Sequence, residues 1–186
     1  YSFKVPTSLE RKHDYLWRHY IALPERGKFS VFNRTHYENV LVTKVHPEYI
    51  MSENLPGIES VDDIDKDFWE KRYQQINEFE QHVAENGTII FKFFLNLSKN
   101  QQRHRLLRRI ELKQKNWKFS PGDLEERKLW EKYQACYEEA INKTSTEHGK
   151  SLQIQNLRIG QVSNEGRKIT VFFDPPEIGK YYFNLA

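Results

Sequence analysis

The sequence contains a single cysteine, Cys136, among 186 residues, so no disulfide can form within the chain. This scarcity is typical of a reducing compartment, and we expect a cytoplasmic protein. No apolar run reaches about 18 residues, the length that a membrane-spanning helix needs, so no membrane association is expected. The first residues also lack the pattern of a secretion signal, which favours the same compartment.

The net charge is only +3, although charged residues make up 30 % of the chain. A nucleic-acid-binding polycation is therefore not expected, and an aromatic content of 14 % favours a folded core over disorder. The length suits one domain. Basic residues are concentrated between Arg103 and Lys118, where Glu111 is the single acid. Such a local excess of positive charge predicts a binding site for an anion.

Strand-like and helix-like segments alternate, which predicts an α/β fold with a parallel sheet covered by helices. Strands are predicted at Tyr1–Val5, Phe29–Phe32 and Thr88–Leu97, and the last is apolar on both faces, as a covered parallel strand is. Capping signals and helical spacing predict five helices. These cover residues 8–23, 35–49 and 60–83, the basic stretch after Ser98, and residues 120–141.

The end of the chain has a different pattern. Leu152–Ile159 and Lys168–Phe173 are predicted strands, and Asn164–Gly166 is a predicted tight turn between them, so this part is expected to form a β-hairpin. Aromatic residues at Tyr181–Phe183 indicate association with another chain, and we expect a homo-oligomer.

Polar residues follow the second predicted strand at once, from Asn33 to Glu38. Ligands bind at the carboxyl ends of strands in open α/β sheets. Asn33 and Glu38 are candidate ligands for a hydrated Mg²⁺, and Arg34 is a candidate for binding a phosphate with two N–H groups. The same residues also fit an ordinary strand-to-helix turn with Asn33 as the N-cap.

The basic stretch is the second candidate site. Arg105 and Arg109 are four residues apart, so a helix places them on one face. Lys115, Trp117 and Lys118 follow in a less regular segment. Cations in this arrangement can surround a polyanion and neutralise the charge of a phosphoryl group during its transfer. A solvated basic helix face without a ligand is the alternative interpretation.

Arg18, the histidines and Cys136 are the remaining residues with a chemistry that could serve a function. Arg18, on the first predicted helix, is a candidate for binding a nucleotide phosphate, and an ordinary surface position is the alternative. The histidines show no metal-ligand spacing, so we do not propose zinc. Cys136 lies among aromatic residues on a predicted helix, which favours a core position over a nucleophile.

These blocks, in this order, resemble the polyphosphate kinase 2 family over about residues 1–148. The matching segments are Pro6–Arg18, Val31–Glu48, Phe68–Glu80 and Arg105–Tyr133. The resemblance implies a P-loop-kinase-like three-layer sandwich with a helical lid, related to thymidylate kinases. It also implies Mg²⁺-dependent transfer of a phosphoryl group between inorganic polyphosphate and a nucleotide acceptor such as ADP, AMP or GDP.

The resemblance also implies roles for particular residues. Asn33 and Arg34 would occupy the Walker B region, and about residues 103–123 would form the lid. The implied catalytic cations are Arg34, Arg105, Arg109 and Lys118, and the implied substrate contacts are Arg18, Lys115, Trp117 and Asp123. Many members have Asp at the position of Asn33, which would transfer metal binding to Glu38 or to an acid in the part expected before Tyr1. The glycine-rich phosphate loop is expected before Tyr1, and residues 149–186 have no match in the family.

Two readings other than an enzyme are consistent with the sequence. One is a non-catalytic module that binds polyphosphate or a nucleotide with the basic lid. The other is a structural fragment whose aromatic helices pack against another chain. A phosphate loop upstream and turnover with polyphosphate would distinguish the enzyme from both.

Overall fold

The computed structural model describes residues 1–146 in full and, beyond them, the backbone of the segments 149–154, 157–162, 168–173 and 181–184. Contacts within the chain define two compact units. The first comprises Tyr1–Ile90 and Glu131–Lys150, and the second comprises Phe91–Trp130 and Ser151–Ala186. No helix in the described ranges is both long enough and apolar enough to cross a membrane.

The start of the chain meets the segment before Asn33 in one parallel rung. Ser2 and Asn33 form a β-bridge, the Phe3 N–H donates to the Asn33 carbonyl at 3.0 Å, and the Asn33 N–H donates to the Tyr1 carbonyl at 2.8 Å. The predicted strands Tyr1–Val5 and Phe29–Phe32 are therefore wrong in extent. Among the described residues no further strand continues the ladder on either side, so it does not grow into a longer sheet.

The capping box predicted for the first helix is confirmed. The Thr7 hydroxyl accepts the Glu10 N–H at 3.2 Å, and the Glu10 carboxylate accepts the Thr7 N–H at 2.6 Å. However, it begins only a short 3₁₀ turn, Glu10–Lys12, and not a helix over residues 8–23.

The interruption lies at His13 and Asp14. His13 has an extended backbone (φ −118°, ψ 169°), and the Asp14 carboxylate accepts the Leu16 N–H at 2.8 Å. A side chain that bonds to a nearby backbone N–H competes with the helical hydrogen bonds. Helix α1 is consequently a single turn, Trp17–Tyr20.

Helix α2 spans Glu38–Val45 and is shorter than the predicted helix over residues 35–49. Its end is fixed by His46, which leaves the helical backbone (φ −125°, ψ 74°) before Pro47. A residue that precedes proline is disfavoured in the helical region because the proline ring crowds it. The chain then continues as a 3₁₀ helix, Pro47–Glu53.

Helix α3, Lys66–Glu85, is the longest helix of the described residues. The capping box predicted at Ser60 is present, but it begins a 3₁₀ turn, Val61–Asp63. The start of α3 is fixed instead by Asp65, whose carboxylate accepts the Phe68 N–H at 2.8 Å. The helix ends before Gly87, whose φ of 92° is the left-handed conformation that a glycine adopts without strain.

The core of the first unit lies along α3. Apolar side chains recur on one face of this helix with helical spacing, and the helix packs against α2. Helix α6, Trp130–Thr144, is joined to α3 by a hydrogen bond from the Asn77 amide to the Lys143 carbonyl at 3.0 Å and by the Lys143–Glu70 ion pair at 2.8 Å. Each apolar side chain, when fully buried, contributes about 1.5–3 kcal/mol to folding. The buried residues are Trp69, Tyr73, Ile76, Phe79 and Val83 from α3, Val40, Leu41 and Val45 from α2, and Cys136 and Ala140 from α6.

The second unit contains the basic stretch. Helix α4 spans Lys99–Glu111, a 3₁₀ helix spans Lys113–Lys118, and α5 spans Gly122–Lys128. The capping box predicted at Ser98 is confirmed, with both of its hydrogen bonds to Gln101 at 3.2 Å. The prediction of a single helix over residues 120–141 was wrong, because Leu129 (φ −87°, ψ 13°) separates α5 from α6.

Strand β1, Ile90–Leu95, forms a two-stranded sheet with β2, Gly149–Ile154. Its side chains alternate in exposure, and Phe91 and Phe93 are each 38 % exposed. The prediction that both faces of this strand are buried was therefore wrong. Its apolar positions 91, 93 and 95 lie on an accessible face.

The last strands form a separate sheet of antiparallel strands. β3, Leu157–Val162, pairs with β4, Lys168–Phe173, and β4 pairs with β5, Tyr181–Asn184. The β3–β4 pairing is the one that the predicted hairpin requires, but the predicted strand Leu152–Ile159 is divided between β2 and β3. The predicted turn at residues 164–166 lies outside the described residues.

Candidate functional site

Arg34 has a left-handed backbone conformation, with a φ of 59°, directly after the Ser2–Asn33 bridge. A residue other than glycine in this region costs about 1–3 kcal/mol, and the conformation persists only where its surroundings hold it. The chain turns here from the bridge into α2, and Arg34 and Glu38 come to lie against each other. The predicted turn thus contains a local strain that an ordinary strand-to-helix connection does not need.

Arg34 and Glu38 form an ion pair. The guanidinium Nη2 donates to the Glu38 carboxylate at 2.6 Å, and the two side chains are 48 % and 31 % exposed. This hydrogen bond is the largest cause of a raised pKa of Arg34, so the guanidinium remains charged at any relevant pH. An ion pair with this exposure is worth at most about 1 kcal/mol. A phosphate group with two or more charges can therefore compete with Glu38 for Arg34.

Two tyrosines of α6 face this ion pair. Both Tyr133 and Tyr137 act electrostatically on Arg34, and Glu38 and Arg34 act on Tyr137. Burial raises the pKa of the Tyr137 hydroxyl, so it stays protonated as a neutral hydrogen-bonding group. No functional role was predicted for these two residues, although their spacing of four already indicated a shared helix face.

Asn33 and Glu38 are the predicted metal ligands. The Asn33 amide nitrogen contacts the Ser2 hydroxyl at 3.4 Å, an interaction that does not engage the amide oxygen. No cluster of three or more His, Cys, Asp or Glu side chains suited to a metal ion occurs in the described part of the chain. One carboxylate and one amide oxygen fit Mg²⁺, because this ion keeps several waters and is commonly completed by substrate phosphates.

Arg18 belongs to a different cluster of the first unit. Its Nε lies 3.2 Å from the Glu10 carboxylate, its Nη2 donates to the Lys4 carbonyl at 3.0 Å, and the guanidinium lies 5.0 Å from the Phe3 ring centre. The side chain is 11 % exposed, so it is not the ordinary surface arginine of the alternative interpretation. It forms part of the wall of a cavity of about 350 Å³, together with Tyr1, Phe3, Thr7 and Ala22.

Glu10 connects the capping box to Arg18. Burial acts to raise the pKa of this carboxyl, but the hydrogen bonds from Thr7 and the charge of Arg18 outweigh it and leave the pKa below its ordinary value. Glu10 is therefore a stable negative partner for the guanidinium. A substrate phosphate at this cavity would have to share Arg18 with Glu10.

The basic helix α4 exposes most of its cations. Arg103, Arg105 and Arg108 are exposed, whereas Leu106 is buried and anchors the helix. Helix α5 is fastened to the start of α4 by Arg127, whose Nη1 donates to the Lys99 carbonyl at 2.8 Å and to the Gln102 side chain at 2.6 Å. Helix α5 thus holds the start of α4, the helix that exposes these cations.

Among the arginines of α4, Arg109 has a described carboxylate partner. Its Nη1 donates to the Asp123 carboxylate at 2.9 Å, and the two side chains are 37 % and 34 % exposed. Asp123, predicted as a substrate contact, therefore has its carboxylate directed at a predicted catalytic cation. The contact joins α4 to the first turn of α5 and crosses the 3₁₀ segment that carries Lys115 and Lys118.

Trp117 is the most exposed large hydrophobic residue of the described part of the chain, at 77 %. Its indole N–H donates to the Gln114 carbonyl at 3.0 Å, and the Lys118 ammonium lies 4.9 Å from its ring centre. Lys115 is exposed in the same turn. An exposed ring held by its own backbone, with cations beside it, offers a flat apolar face within a positive surface.

The predicted site residues therefore fall into three clusters. Asn33, Arg34 and Glu38 are brought together at the start of α2, and Arg18 lies with Glu10 in the same unit. The second unit holds the remaining predicted residues, which are Arg105, Arg109, Lys115, Trp117, Lys118 and Asp123. What the sequence interpretation missed are the partners of these residues, namely Glu10, Tyr133 and Tyr137.

Comparison with known proteins gives a consistent family match. The family model described as Polyphosphate kinase 2 matches residues 1–155. An ADP-polyphosphate phosphotransferase of Rhodopseudomonas palustris is 51 % identical over 147 residues, which is 79 % of this chain and 50 % of that protein. An AMP/ADP-polyphosphate phosphotransferase of Meiothermus ruber is 47 % identical over 147 residues, 79 % of this chain and 49 % of that protein.

A solved structure shows the same likeness. The crystal structure of polyphosphate kinase 2 from Arthrobacter aurescens superposes with a TM-score of 0.72 and 39 % sequence identity, over 83 % of this chain and 50 % of that one. The described residues thus share the fold of a polyphosphate kinase 2. The chain spans about half the length of the curated relatives it matches.

Proposed function

This chain belongs to the polyphosphate kinase 2 family, and we propose that the full-length protein transfers a phosphoryl group between inorganic polyphosphate and a nucleoside mono- or diphosphate. The relatives named above are polyphosphate phosphotransferases with ADP, or with AMP and ADP. The proposed fold is the P-loop-kinase-like three-layer sandwich, with residues 1–148 in the catalytic domain and about 103–123 as its lid. The substrates are charged metabolites, which agrees with a cytoplasmic location, and a homo-oligomer is the proposed assembly.

The observation that carries the proposal is the Arg34–Glu38 pair in its strained turn. Arg34 is permanently charged, half exposed and held by an ion pair weak enough for a phosphate to displace. Phosphoryl transfer requires little covalent chemistry from the protein, because positioning and neutralisation of charge supply most of the catalysis. When a phosphate takes the place of the Glu38 carboxylate, the Arg34 guanidinium both positions this phosphate and neutralises its charge.

The lid contributes the remaining positive charge. Arg105, Arg109 and Lys118 would neutralise the oxygens of the transferred group and of the polyphosphate chain, and Lys115 would extend this positive surface. The flat face of the Trp117 ring would contact the substrate. Arg18 would contact a phosphate in its cavity while Glu10 keeps its orientation.

Magnesium is the proposed metal ion. Glu38 and the amide oxygen of Asn33 would hold it, mainly through water, and the ion would neutralise phosphate oxygens when bound. A phosphate that displaces Glu38 from Arg34 would leave this carboxylate free to hold the ion. In the absence of substrate, Arg34 and Glu38 would therefore neutralise each other in the ion pair.

The direct test is formation of ATP from ADP, or of ADP from AMP, by the full-length protein with polyphosphate and Mg²⁺. We expect Arg34→Ala to lower turnover on the order of 10²-fold, because one partner of the transition-state charge is lost. Arg26→Ala, which removes an exposed arginine of the preceding loop, serves as the control and should leave turnover unchanged. If the wild-type protein binds polyphosphate but shows no turnover, the enzyme proposal is wrong and the protein is instead a non-catalytic binding module.

A further inference from the structure

Glu80 is a carboxylate with no exposed surface, located on the face of α3 that points into the core. Its Oε1 accepts a hydrogen bond from the Tyr37 hydroxyl at 2.7 Å and lies 3.2 Å from His36 Nε2. Removing a carboxylate from water costs several kcal/mol, and its partners at best return this amount. Replacing a buried charge together with its partners by apolar side chains of similar volume is often neutral or stabilising, so stability alone does not account for this cluster.

Two partners of Glu80 are consecutive residues within the candidate site. Tyr37 is the residue before α2, and His36 precedes it, so the two lie between Arg34 and Glu38 in the chain. The His36 ring is enclosed by the Phe79 ring at 5.1 Å, the Tyr37 ring at 4.6 Å and the His19 ring at 5.6 Å, measured between ring centres. The segment is therefore fixed from the core side at its midpoint.

The backbone of the same segment needs such support. Arg34 carries about 1–3 kcal/mol of conformational strain, which persists only where other contacts hold it. The turn has a few local bonds of its own, such as that from the Tyr37 N–H to the Thr35 hydroxyl at 3.2 Å. These bonds lie inside the turn and do not connect it to the rest of the unit. The hydrogen bond to Glu80 makes such a connection, across 43 residues of sequence, and the Tyr37 side chain also interacts with Thr144 of α6.

We propose that Glu80 is a positioning residue of the phosphoryl-transfer site, which acts through Tyr37 and His36 to hold Arg34 and Glu38 in register. This inference rests on the proposed function and adds to it the residue that aligns the guanidinium. Glu80 does not touch substrate. Its effect is geometric, and displacing a reacting group or its charge partner by about 1 Å can cost on the order of 10²-fold in rate.

A double-mutant cycle on turnover tests the proposal. Glu80→Gln keeps the shape of the side chain but replaces the charge-assisted hydrogen bonds to Tyr37 and His36 with weaker ones to a neutral amide, which loosens the contact. Arg34→Ala removes the group on which Glu80 is proposed to act. We expect Glu80→Gln to lower turnover about tenfold when Arg34 is present and hardly at all when Arg34 is absent. An equal fractional loss in both backgrounds, or no loss in the first, would overturn the proposal.

Two further variants separate positioning from folding. Tyr37→Phe removes one hydroxyl and keeps the ring, and we expect a loss of similar size that is not additive with Glu80→Gln. Glu85→Gln, an exposed glutamate near the end of the same helix, is the control and should have wild-type turnover. Additive losses for Tyr37→Phe and Glu80→Gln would contradict action through a single contact.

A readout without turnover keeps this proposal distinct from the proposed function. The ¹⁵N resonance of the Arg34 Nε–H group reports whether the guanidinium is held in one place. We expect a sharp signal in the wild-type protein and in Glu85→Gln, and a broadened or shifted one in Glu80→Gln and Tyr37→Phe. Absence of phosphoryl transfer in the wild-type protein would sink the proposed function only, whereas an unchanged Arg34 signal in Glu80→Gln would sink the positioning role.

Discussion

Arg109 of α4 and Asp123 of α5 are joined by a hydrogen-bonded ion pair of 2.9 Å. The aspartate thus neutralises one of the cations on which the proposed lid depends. Because both side chains are about one-third exposed, the pair contributes at most about 1 kcal/mol to folding. Its larger effect is expected on the electrostatics of substrate binding.

Asp123→Asn should therefore bind polyphosphate more tightly. The substitution releases Arg109 and adds one positive charge to the lid, so the KM for polyphosphate should fall about two- to fivefold at low salt and depend more steeply on salt concentration. Steady-state kinetics at several ionic strengths check this expectation. Asp67→Asn, a change at an exposed aspartate of α3, is the matched control. A higher KM would mean instead that Asp123 orients Arg109 for the substrate.

Arg109→Ala should lower turnover on the order of 10²-fold, because the transferred group loses a charge partner in a position prepared for it. Unfolding by urea should show little change, since the lost ion pair is partly exposed. The control is Arg11→Ala, which removes an exposed arginine of the first 3₁₀ turn. A wild-type rate in Arg109→Ala would remove this residue from the proposed site.

The local start signals of the sequence were accurate, but the lengths of the elements were not. The capping boxes at Thr7 and Ser60 both formed, and each began only a 3₁₀ turn. A capping box depends on four consecutive residues, whereas the extent of a helix depends on contacts along its whole length. The break at Asp14 and the end of α2 at His46 depend on a local side-chain bond and on Pro47, signals that were present but outweighed by the apolar spacing.

For the candidate site, the sequence identified Arg34 and Glu38 but none of the groups that hold them. Tyr137 and Glu80 lie 103 and 46 residues beyond Arg34 in the chain, and no local pattern connects them to it. Their proximity follows from the packing of α3 and α6 around α2. A buried glutamate in an apolar helix face, at Glu80, was the one signal in the sequence that could have indicated a polar partner in the core.

Trp117→Ala should change ligand binding without changing stability. The ring is 77 % exposed, so its removal should alter the free energy of unfolding by no more than about 0.5 kcal/mol. Trp69→Ala, at a position 9 % exposed, should instead cost about 3–5 kcal/mol. In the wild-type protein, polyphosphate should alter the tryptophan fluorescence, and this change should disappear in Trp117→Ala. A fluorescence response that survives would show that the ligand acts on another tryptophan.

The stability of the first unit should depend on pH through His19. This side chain is 2 % exposed and packs 4.3 Å from the Phe3 ring centre. Burial, reinforced by the nearby His36 and the charge of Arg18, lowers its pKa from 6.5 to about 3. The folded state therefore holds the neutral ring. Its contribution is complete above about pH 6.5 and is lost as the pH falls toward 3, because the unfolded chain binds the proton first.

The expected loss from His19 is up to about 1.4 kcal/mol for each pH unit within this window. His19→Phe keeps an aromatic ring and removes the proton-binding site, so its unfolding free energy, measured by urea denaturation at pH 7, 6, 5 and 4, should fall less steeply than that of the wild-type protein. His13→Phe preserves an exposed ring that stacks on Trp17 and should follow the wild-type slope. Parallel pH profiles for His19→Phe and the wild-type protein would assign the acid sensitivity to the carboxylates, of which Glu10 has a lowered pKa and acts in the same direction.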